Sequence, residues 1–236
     1  DPRWSPDGKY IAFVRDCQFL RVSEFIAAER EVQHRLLADE EVWVMNADGT
    51  QARRLARGGW PSWSQDSASV YYHSRLDNTL CSISIVGIDA EPKRIMVCPG
   101  YFPSVSPDNQ RVAYMDGTSL KVKDLTSQTL VGEWAVPFPA WGGPAWSAAG
   151  NELCMWGNAG LENRDGLWIY RIDRSDPAKI LGGQVTAGSW APDATKLVFE
   201  LGPPYFEIWA AELAAGVSAV EALGPGQTLD EHFQEM

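Results

Sequence analysis

One segment of about twelve residues recurs five times along the chain and limits what the chain can fold into. The copies read PRWSPDGKYIAF, PSWSQDSASVYY, PSVSPDNQRVAY, PAWSAAGNELCM and GSWAPDATKLVF, and they begin at Pro2, Pro61, Pro103, Pro144 and Gly188. The last three intervals are about 41 to 44 residues long, and the first is about 59. A period of about 40 to 45 residues is typical of four-stranded propeller blades. The longer first interval therefore indicates one insertion.

Each copy contains a tight turn followed by a strand. In the turn Ser5-Pro6-Asp7-Gly8, proline fixes φ, aspartate bonds its own backbone, and glycine accepts a positive φ. The β-branched and aromatic residues that follow, with stretches of alternation, favour strands over helices. A first strand is predicted in each unit at Tyr10–Val14, Val70–His73, Arg111–Met115, Glu152–Trp156 and Lys196–Glu200. A second is predicted at Glu41–Met45, Leu80–Val86, Ser119–Leu125, Leu167–Ile172 and Glu207–Glu212.

The predicted fold class is all-β, a β-propeller of about five four-stranded blades in a single domain over 1–236. A four-stranded sheet has two apolar faces, and radial packing of blades buries both of them. One position of the repeat holds a tryptophan in four of the five copies, and we expect these indoles to pack between blades. They are Trp4, Trp63, Trp146 and Trp190, with Val105 in the third copy.

The segments Trp4–Phe13 and Glu41–Thr50 resemble the WD40-like PD40 repeat of TolB-type propellers. The resemblance covers about 1–225 apart from the insertion. The second copy departs from it with Gln65-Asp66-Ser67, and the fourth with Ala148-Ala149-Gly150. The resemblance implies a periplasmic or extracytoplasmic protein that binds partner segments at the mouth of the propeller channel. We find no signal-peptide pattern in the sequence.

The number of blades stays open between two alternatives. The segment Leu223–Thr228 resembles Leu181–Thr186, which leads into an inner strand. Within the closing segment of about 224–236, Thr228–Phe233 is therefore predicted to supply the missing inner strand of the first blade. That closure gives a five-bladed ring. The alternative is part of a six-bladed ring, because TolB-like propellers resemble a six-bladed design.

The insertion, about 16–40, is predicted to contain an amphipathic helix of about 15 residues, because apolar side chains recur in it near helical spacing. Phe25 lies on its apolar stripe and Arg30 among its polar positions. One interpretation is a helix packed on the rim of its own propeller. The other is a lid or partner-binding element, with Phe25 and Arg30 among its contact residues.

The segments that enter the inner strands carry Trp60, Tyr101, Phe102, Trp141 and Gln184. We expect them to line a pocket for a peptide segment or a sugar ring, since aromatic faces suit both. The alternative is packing between inner strands. Loop residues on the same side are expected to be solvated charges, and these are His73, Arg75, Asp77, Asn158, Arg164 and Asp165.

Several classes of chemistry are unsupported by the sequence. It contains no Gly-x-Ser-x-Gly elbow, no phosphate-binding glycine loop, and no histidine with a second ligand at zinc spacing. We therefore expect no catalytic residue, no metal and no cofactor. The formal net charge of -11 disfavours nucleic acid, and no apolar run is long enough for membrane insertion. Cys98 and Cys154 lie in apolar runs and are predicted to be core residues, whereas a disulfide cannot be assigned.

Three functional hypotheses follow. The first is a non-catalytic scaffold that binds a protein or peptide, as a monomer or as part of a larger complex. The second is an accessory propeller of a prolyl-oligopeptidase-like peptidase. The third is a carbohydrate-active propeller, a lyase or glycosidase, for which paired carboxylates or a metal cluster are not evident.

Overall fold

The computed structural model describes residues 2–15, 40–87, 90–138, 142–157, 160, 164–191, 196–201 and 207–212. The predicted helix of the insertion and the predicted closing segment 224–236 lie outside these residues.

The described residues form nineteen strands and no helix. The strands of the first two sheets are β1 Arg3–Trp4, β2 Tyr10–Arg15, β3 Glu41–Asn46, β4 Arg53–Arg57, β5 Gly59–Trp63, β6 Ser69–Ser74, β7 Thr79–Ser84 and β8 Lys93–Val97. The third sheet has β9 Tyr101–Val105, β10 Arg111–Asp116, β11 Ser119–Asp124 and β12 Leu130–Ala135. The last two have β13 Ala145–Trp146, β14 Glu152–Gly157, β15 Gly166–Arg171, β16 Ala178–Gly182, β17 Val185–Trp190, β18 Lys196–Leu201 and β19 Glu207–Glu212.

Consecutive strands pair within each of five sheets. Four sheets have four strands, in the orders β1-β2-β3-β4, β5-β6-β7-β8, β12-β11-β10-β9 and β13-β14-β15-β16. The fifth has the three described strands β17-β18-β19. This up-and-down topology confirms the predicted all-β blades. The chain divides into two compact units, Asp1–Val105 and Ser106–Met236.

In the first unit, the core lies between the sheet β1–β4 and the sheet β5–β8. It consists of small, β-branched and aromatic side chains that are removed from water, namely Ala12, Val42, Ala56, Val70, Tyr72, Cys81 and Ile83. Alternation along β3 explains the pattern, because Val42 and Val44 are buried whereas Trp43 is only half-buried. Both sheets therefore contribute one apolar face to a shared core.

In the second unit, the core lies between the sheet β13–β16 and the sheet β17–β19. Its members are Cys154, Leu167, Ile169, Ile180, Leu181, Val185, Leu197 and Phe199. Cys98 in the first unit and Cys154 in the second are both fully buried, as the apolar runs around them predict.

A serine and an aspartate stabilise the turn that precedes the second strand of the blade. Ser5 Oγ donates to Asp7 Oδ1 at 2.7 Å, and the backbone N–H of Tyr10 donates to Ser5 Oγ at 2.9 Å. The same pattern recurs at Ser64 and Asp66, where the two side-chain oxygens are 2.6 Å apart. The hydrogen bond from the serine is the main reason that the pKa of Asp7 and of Asp66 lies below the ordinary value of an aspartate, and a backbone N–H contributes in the same direction.

The fourth copy has the same turn backbone without the carboxylate, since φ is 69° at Gly150 and 71° at Gly8. Ala149 stands at the aspartate position, and the N–H of Glu152 lies 3.2 Å from Ser147 Oγ, compared with 2.9 Å in the first copy. We expect Ala149→Asp to raise the free energy of unfolding by about 0.5–1 kcal/mol, measured by urea denaturation. Ala148→Asp is the control, because Ala148 is exposed like Ala149 but stands one residue before the position whose carboxylate accepts from the serine in the first three copies. An equal gain in both variants contradicts the explanation.

The tryptophans of the repeat connect neighbouring sheets through a hydrogen bond. Trp63 Nε1 donates to the carbonyl of Arg3 at 2.9 Å, and Trp190 Nε1 donates to the carbonyl of Ala145 at 3.0 Å. In both cases the acceptor immediately precedes the equivalent tryptophan of the preceding sheet. For Trp4 the expectation of burial is wrong, because its side chain is 60% exposed. For Trp63 and Trp190 the contact is made with the preceding sheet, and Trp4 lies in the first sheet that the structure describes.

Candidate functional site

Trp60, Tyr101 and Phe102, at the starts of β5 and β9, lie together and form what we call the aromatic cluster. The ring centroids of Trp60 and Phe102 are 4.8 Å apart, and those of Trp60 and Tyr101 are 6.2 Å apart in an edge-to-face arrangement. Tyr101 is 50% exposed, whereas Trp60 and Phe102 are half-buried. The structure thus brings together three of the residues that the sequence placed at one site.

The backbone at Trp60 and Phe102 is left-handed, with φ of 54° and 55°. Each residue precedes a proline, a context that normally favours extended backbone. At Trp60 the cause is a bulge: Gly59 pairs with His73 and Ser62 with Tyr71, so β5 has one extra residue. Such backbone costs about 1–3 kcal/mol per residue and persists only where surrounding contacts impose it. The same strained geometry thus orients an aromatic ring at two equivalent repeat positions.

An ion pair lies against the indole of Trp60. The guanidinium carbon of Arg75 is 3.9 Å from the ring centroid of Trp60. Arg75 Nη2 lies 2.6 Å from Glu40 Oε2, and Arg75 Nε donates to the same oxygen at 2.8 Å. The two side chains are each only 12% exposed. The expectation that Arg75 is a solvated loop charge is therefore wrong, because the Glu40 carboxylate and the indole replace its water.

Gly59 makes room for this pair, and the adjacent Gly58 makes room for the strand β6. A Cβ at Gly59 would lie 2.5 Å from Glu40 Oε2 and 3.2 Å from Arg75 Nη2. Gly58 has a φ of 143°, and its N–H donates to the carbonyl of Glu40 at 2.9 Å. A side chain at Gly59 would therefore displace Glu40, and a side chain at Gly58 would displace His73 and Tyr72 of β6.

His73 lies beside the cluster, with its ring centroid 5.4 Å from that of Trp60. It is only 2% exposed, so the expectation of a solvated loop residue is wrong here too: it belongs to β6. Its Nε2 lies 2.9 Å from the carbonyl oxygen of Cys98, which can only accept, so Nε2 carries the proton of the neutral ring. Burial lowers the pKa of His73 from its ordinary value of 6.5, and the Arg75 charge acts in the same direction.

The lowered pKa of His73 predicts a loss of stability in mild acid. The unfolded chain binds a proton at this residue more readily than the folded chain, so the contribution is present above pH 6.5 and is lost as the pH falls below it. We expect the free energy of unfolding to fall between about pH 7.5 and about pH 5, and to fall less in His73→Gln. Urea denaturation across this range measures both slopes, and identical slopes contradict the expectation.

The other residues predicted for the site are not part of the aromatic cluster. Gln184 precedes β17 in the second unit, where its Nε2 lies near Gly160. Gly160 N–H donates to Asp165 Oδ2 at 2.6 Å, and Asp165 is buried rather than solvated. Arg164 is exposed, as expected, and Asp77 pairs with Arg94 at 2.7 Å. Trp141, Phe25, Arg30 and Asn158 lie outside the described residues.

Glu40 was missed by the sequence reasoning. It is 35 residues from Arg75 in sequence, and no local pattern relates the two. The available signal was the pair Gly58-Gly59 directly before Trp60, since adjacent glycines indicate a close approach of other atoms.

Metal and membrane chemistry find no support in the part of the chain that the structure describes. There, no three His, Cys, Asp or Glu side chains are grouped as a metal ion requires. No helix among the same residues is long and apolar enough to cross a membrane. The chemistry that the aromatic cluster offers is non-covalent, through ring faces, ring edges and one phenol.

No family model and no curated protein matches the sequence. Solved structures are similar in fold. TolB from Acinetobacter baumannii matches with a TM-score of 0.62 at 14% identity, over 89% of this chain and 52% of that chain. A protein assigned to TolB from Agrobacterium tumefaciens matches with a TM-score of 0.54 at 17% identity, over 69% and 62%. An oligogalacturonate lyase in complex with manganese matches with a TM-score of 0.60 at 9% identity, over 90% and 64%.

The chain spans from about half to less than two thirds of the length of these structures, 52% to 64%. At identities of 9% to 17% the similarity establishes architecture and not activity. The strand topology and these matches agree with the resemblance of the repeat. The chain has a TolB-like β-propeller fold.

Proposed function

We propose that the chain is a non-catalytic propeller scaffold that binds a protein or peptide segment at the aromatic cluster. The observation that carries the proposal is the strained, ion-pair-supported placement of Trp60 beside Phe102 and the half-exposed Tyr101. Aromatic side chains held in fixed orientations bury large areas at a small entropic cost, and they dominate many protein interfaces. The net charge of -11 favours a neutral or cationic partner.

The proposal extends to location and to the insertion. The resemblance to TolB-type propellers supports a periplasmic or other extracytoplasmic protein.

The predicted helix at about 16–40, with Phe25 and Arg30, is proposed as a second contact for the partner. Deleting 18–38 should then weaken capture of the partner and leave the cooperative unfolding of the propeller intact, as followed by circular dichroism.

Selection from a random peptide library on the immobilised protein tests the proposal. We expect the wild type to enrich related sequences, and Trp60→Ala to lose that enrichment because the other two rings pack against this indole. Leu130→Ala is the matched control. Leu130 is a 51% exposed apolar residue on β12, in the second unit, and it is not part of the aromatic cluster. Equal enrichment on the wild type and Trp60→Ala would place recognition elsewhere.

A carbohydrate ligand is the second candidate. The half-exposed ring of Tyr101 suits a sugar face, and the fold is similar to that of an oligogalacturonate lyase. A glycan array with and without added manganese discriminates the two, because binding to glycans but not to peptides supports the second candidate.

An accessory role in a larger peptidase is compatible with the same site. The parent open reading frame decides it, since a Gly-x-Ser-x-Gly sequence downstream of this chain identifies a hydrolase partner domain.

A further inference from the structure

We infer that Glu40 and Arg75 determine the specificity of the aromatic cluster: Arg75 holds the Trp60 ring in place, and Glu40 cancels the charge of Arg75 so that the site selects uncharged rings over anionic ones. The inference rests on the proposed function, because it concerns the same site. It adds a ligand class, neutral aromatic side chains, and two residues that act through Trp60.

The orientation of Trp60 depends on contacts with several elements. Arg75 stacks on the indole at 3.9 Å, and Phe102 and His73 contact the same ring at centroid distances of 4.8 Å and 5.4 Å. Arg75 is itself fixed by two contacts to one carboxylate oxygen of Glu40. A guanidinium that the Glu40 carboxylate fixes through Nε and Nη2 remains in one position against the face of the indole. Trp60 is therefore confined to the orientation in which it meets Phe102 and Tyr101.

Stability alone explains this pair poorly. Removing two charges from water costs several kcal/mol per ion, and a buried pair often returns no more than a hydrophobic replacement would. The arrangement also requires Gly59 to lack a side chain, because a Cβ there would lie 2.5 Å from Glu40 Oε2. The ion pair of Arg54 and Glu41 offers a contrast. Arg54 Nε lies 2.8 Å from Glu41 Oε1, but the Arg54 side chain is 46% exposed and therefore keeps much of its water. The desolvation of Glu40 and Arg75 thus occurs at the position where Arg75 contacts the Trp60 ring.

The charge of the site follows from the same geometry. Arg75 is the cation that stacks on the cluster, and it would attract a carboxylate if Glu40 did not neutralise it. With Glu40 in place, the rings present no net charge to a ligand. Replacing Glu40 by glutamine keeps the size of the side chain and one acceptor oxygen but removes the negative charge, so it should convert the site toward anionic ligands.

The test uses the full chain labelled with 5-fluorotryptophan, in which Trp60→Phe identifies the ¹⁹F resonance of Trp60. Two matched probes are titrated: N-acetyl-tryptophanamide, which is neutral, and N-acetyl-tryptophan, which carries a carboxylate. The wild type should bind the neutral probe more tightly than the anionic probe. In Glu40→Gln the ratio of the two affinities should move toward the anionic probe by about 3- to 10-fold. Glu41→Gln, at the adjacent residue, should leave the ratio unchanged.

The positioning role has a readout of its own that needs no ligand. In Arg75→Met the Trp60 resonance should shift or broaden while the other resonances stay in place, and Arg75→Lys should restore it only in part because an ammonium is not planar. Arg54→Met is the control. An unchanged Trp60 resonance overturns the positioning role, and an unchanged affinity ratio in Glu40→Gln overturns the specificity. Failure of both probes to bind the wild type instead contradicts the proposed site, while the ligand-free spectra still decide the positioning role.

Discussion

Replacing Gly58 by alanine is expected to lower the free energy of unfolding by about 3 kcal/mol or more. Gly58 has a φ of 143°, which side-chain-bearing residues rarely adopt. An added Cβ would overlap the carbonyl oxygen of His73 and lie 2.8 Å from Cδ2 of Tyr72. Both atoms belong to the central strand β6, so the backbone cannot yield cheaply. Urea denaturation followed by circular dichroism measures the loss.

Gly87→Ala is the matched control for this prediction. Gly87 also has a positive φ, 96°, but nothing lies within 4 Å of its added Cβ. We expect a cost of only about 1 kcal/mol there, from the backbone conformation alone. If the two variants lose the same stability, the close approach of β6 to Gly58 does not determine the cost of the substitution.

Replacing Trp63 by alanine is expected to lower the free energy of unfolding by about 2–4 kcal/mol, whereas Trp4→Ala should change it by less than about 0.5 kcal/mol. The two residues hold the same repeat position. Trp63 packs on the core of the first unit, stacks near Tyr10 and donates to the carbonyl of Arg3. Trp4 is 60% exposed.

Trp63→Phe separates the two contributions of this side chain. It keeps an aromatic ring and removes the N–H donor, so it should cost about 1 kcal/mol, less than Trp63→Ala. Chemical denaturation of the three variants in parallel gives the ranking. A Trp4→Ala loss as large as that of Trp63→Ala would mean that Trp4 is covered in solution.

The repeat predicted most of the fold because each blade is specified locally. The predicted strand Glu207–Glu212 matches β19, and Arg111–Met115 matches β10 to within one residue at its end. The predicted end of Leu80–Val86 was two residues late, since β7 ends at Ser84. There the Ser84 hydroxyl bonds the backbone of Val86, which begins a turn. Turn chemistry near a strand end is harder to recognise than the alternation inside it.

The site was predictable only in part. The position of Trp60, Tyr101 and Phe102 in the repeat was enough to group them, because equivalent residues of neighbouring blades lie side by side. The contribution of Glu40 and Arg75 was not predictable, because it depends on a contact between two sheets. The left-handed backbone of Trp60 runs against the preference of a residue before proline. Burial of His73 and Asp165 likewise depends on the packing of sheets rather than on their polar sequence context.

Recognition through the aromatic cluster is tested most directly by titration calorimetry with a peptide recovered from the library selection. Tyr101 is the most exposed ring of the cluster, and Leu130 is exposed to the same extent on β12. We expect Tyr101→Ala to weaken binding by about tenfold or more, as for an aromatic anchor at an interface, and Leu130→Ala to leave it unchanged. Equal affinities of the wild type and Tyr101→Ala would contradict recognition at this site.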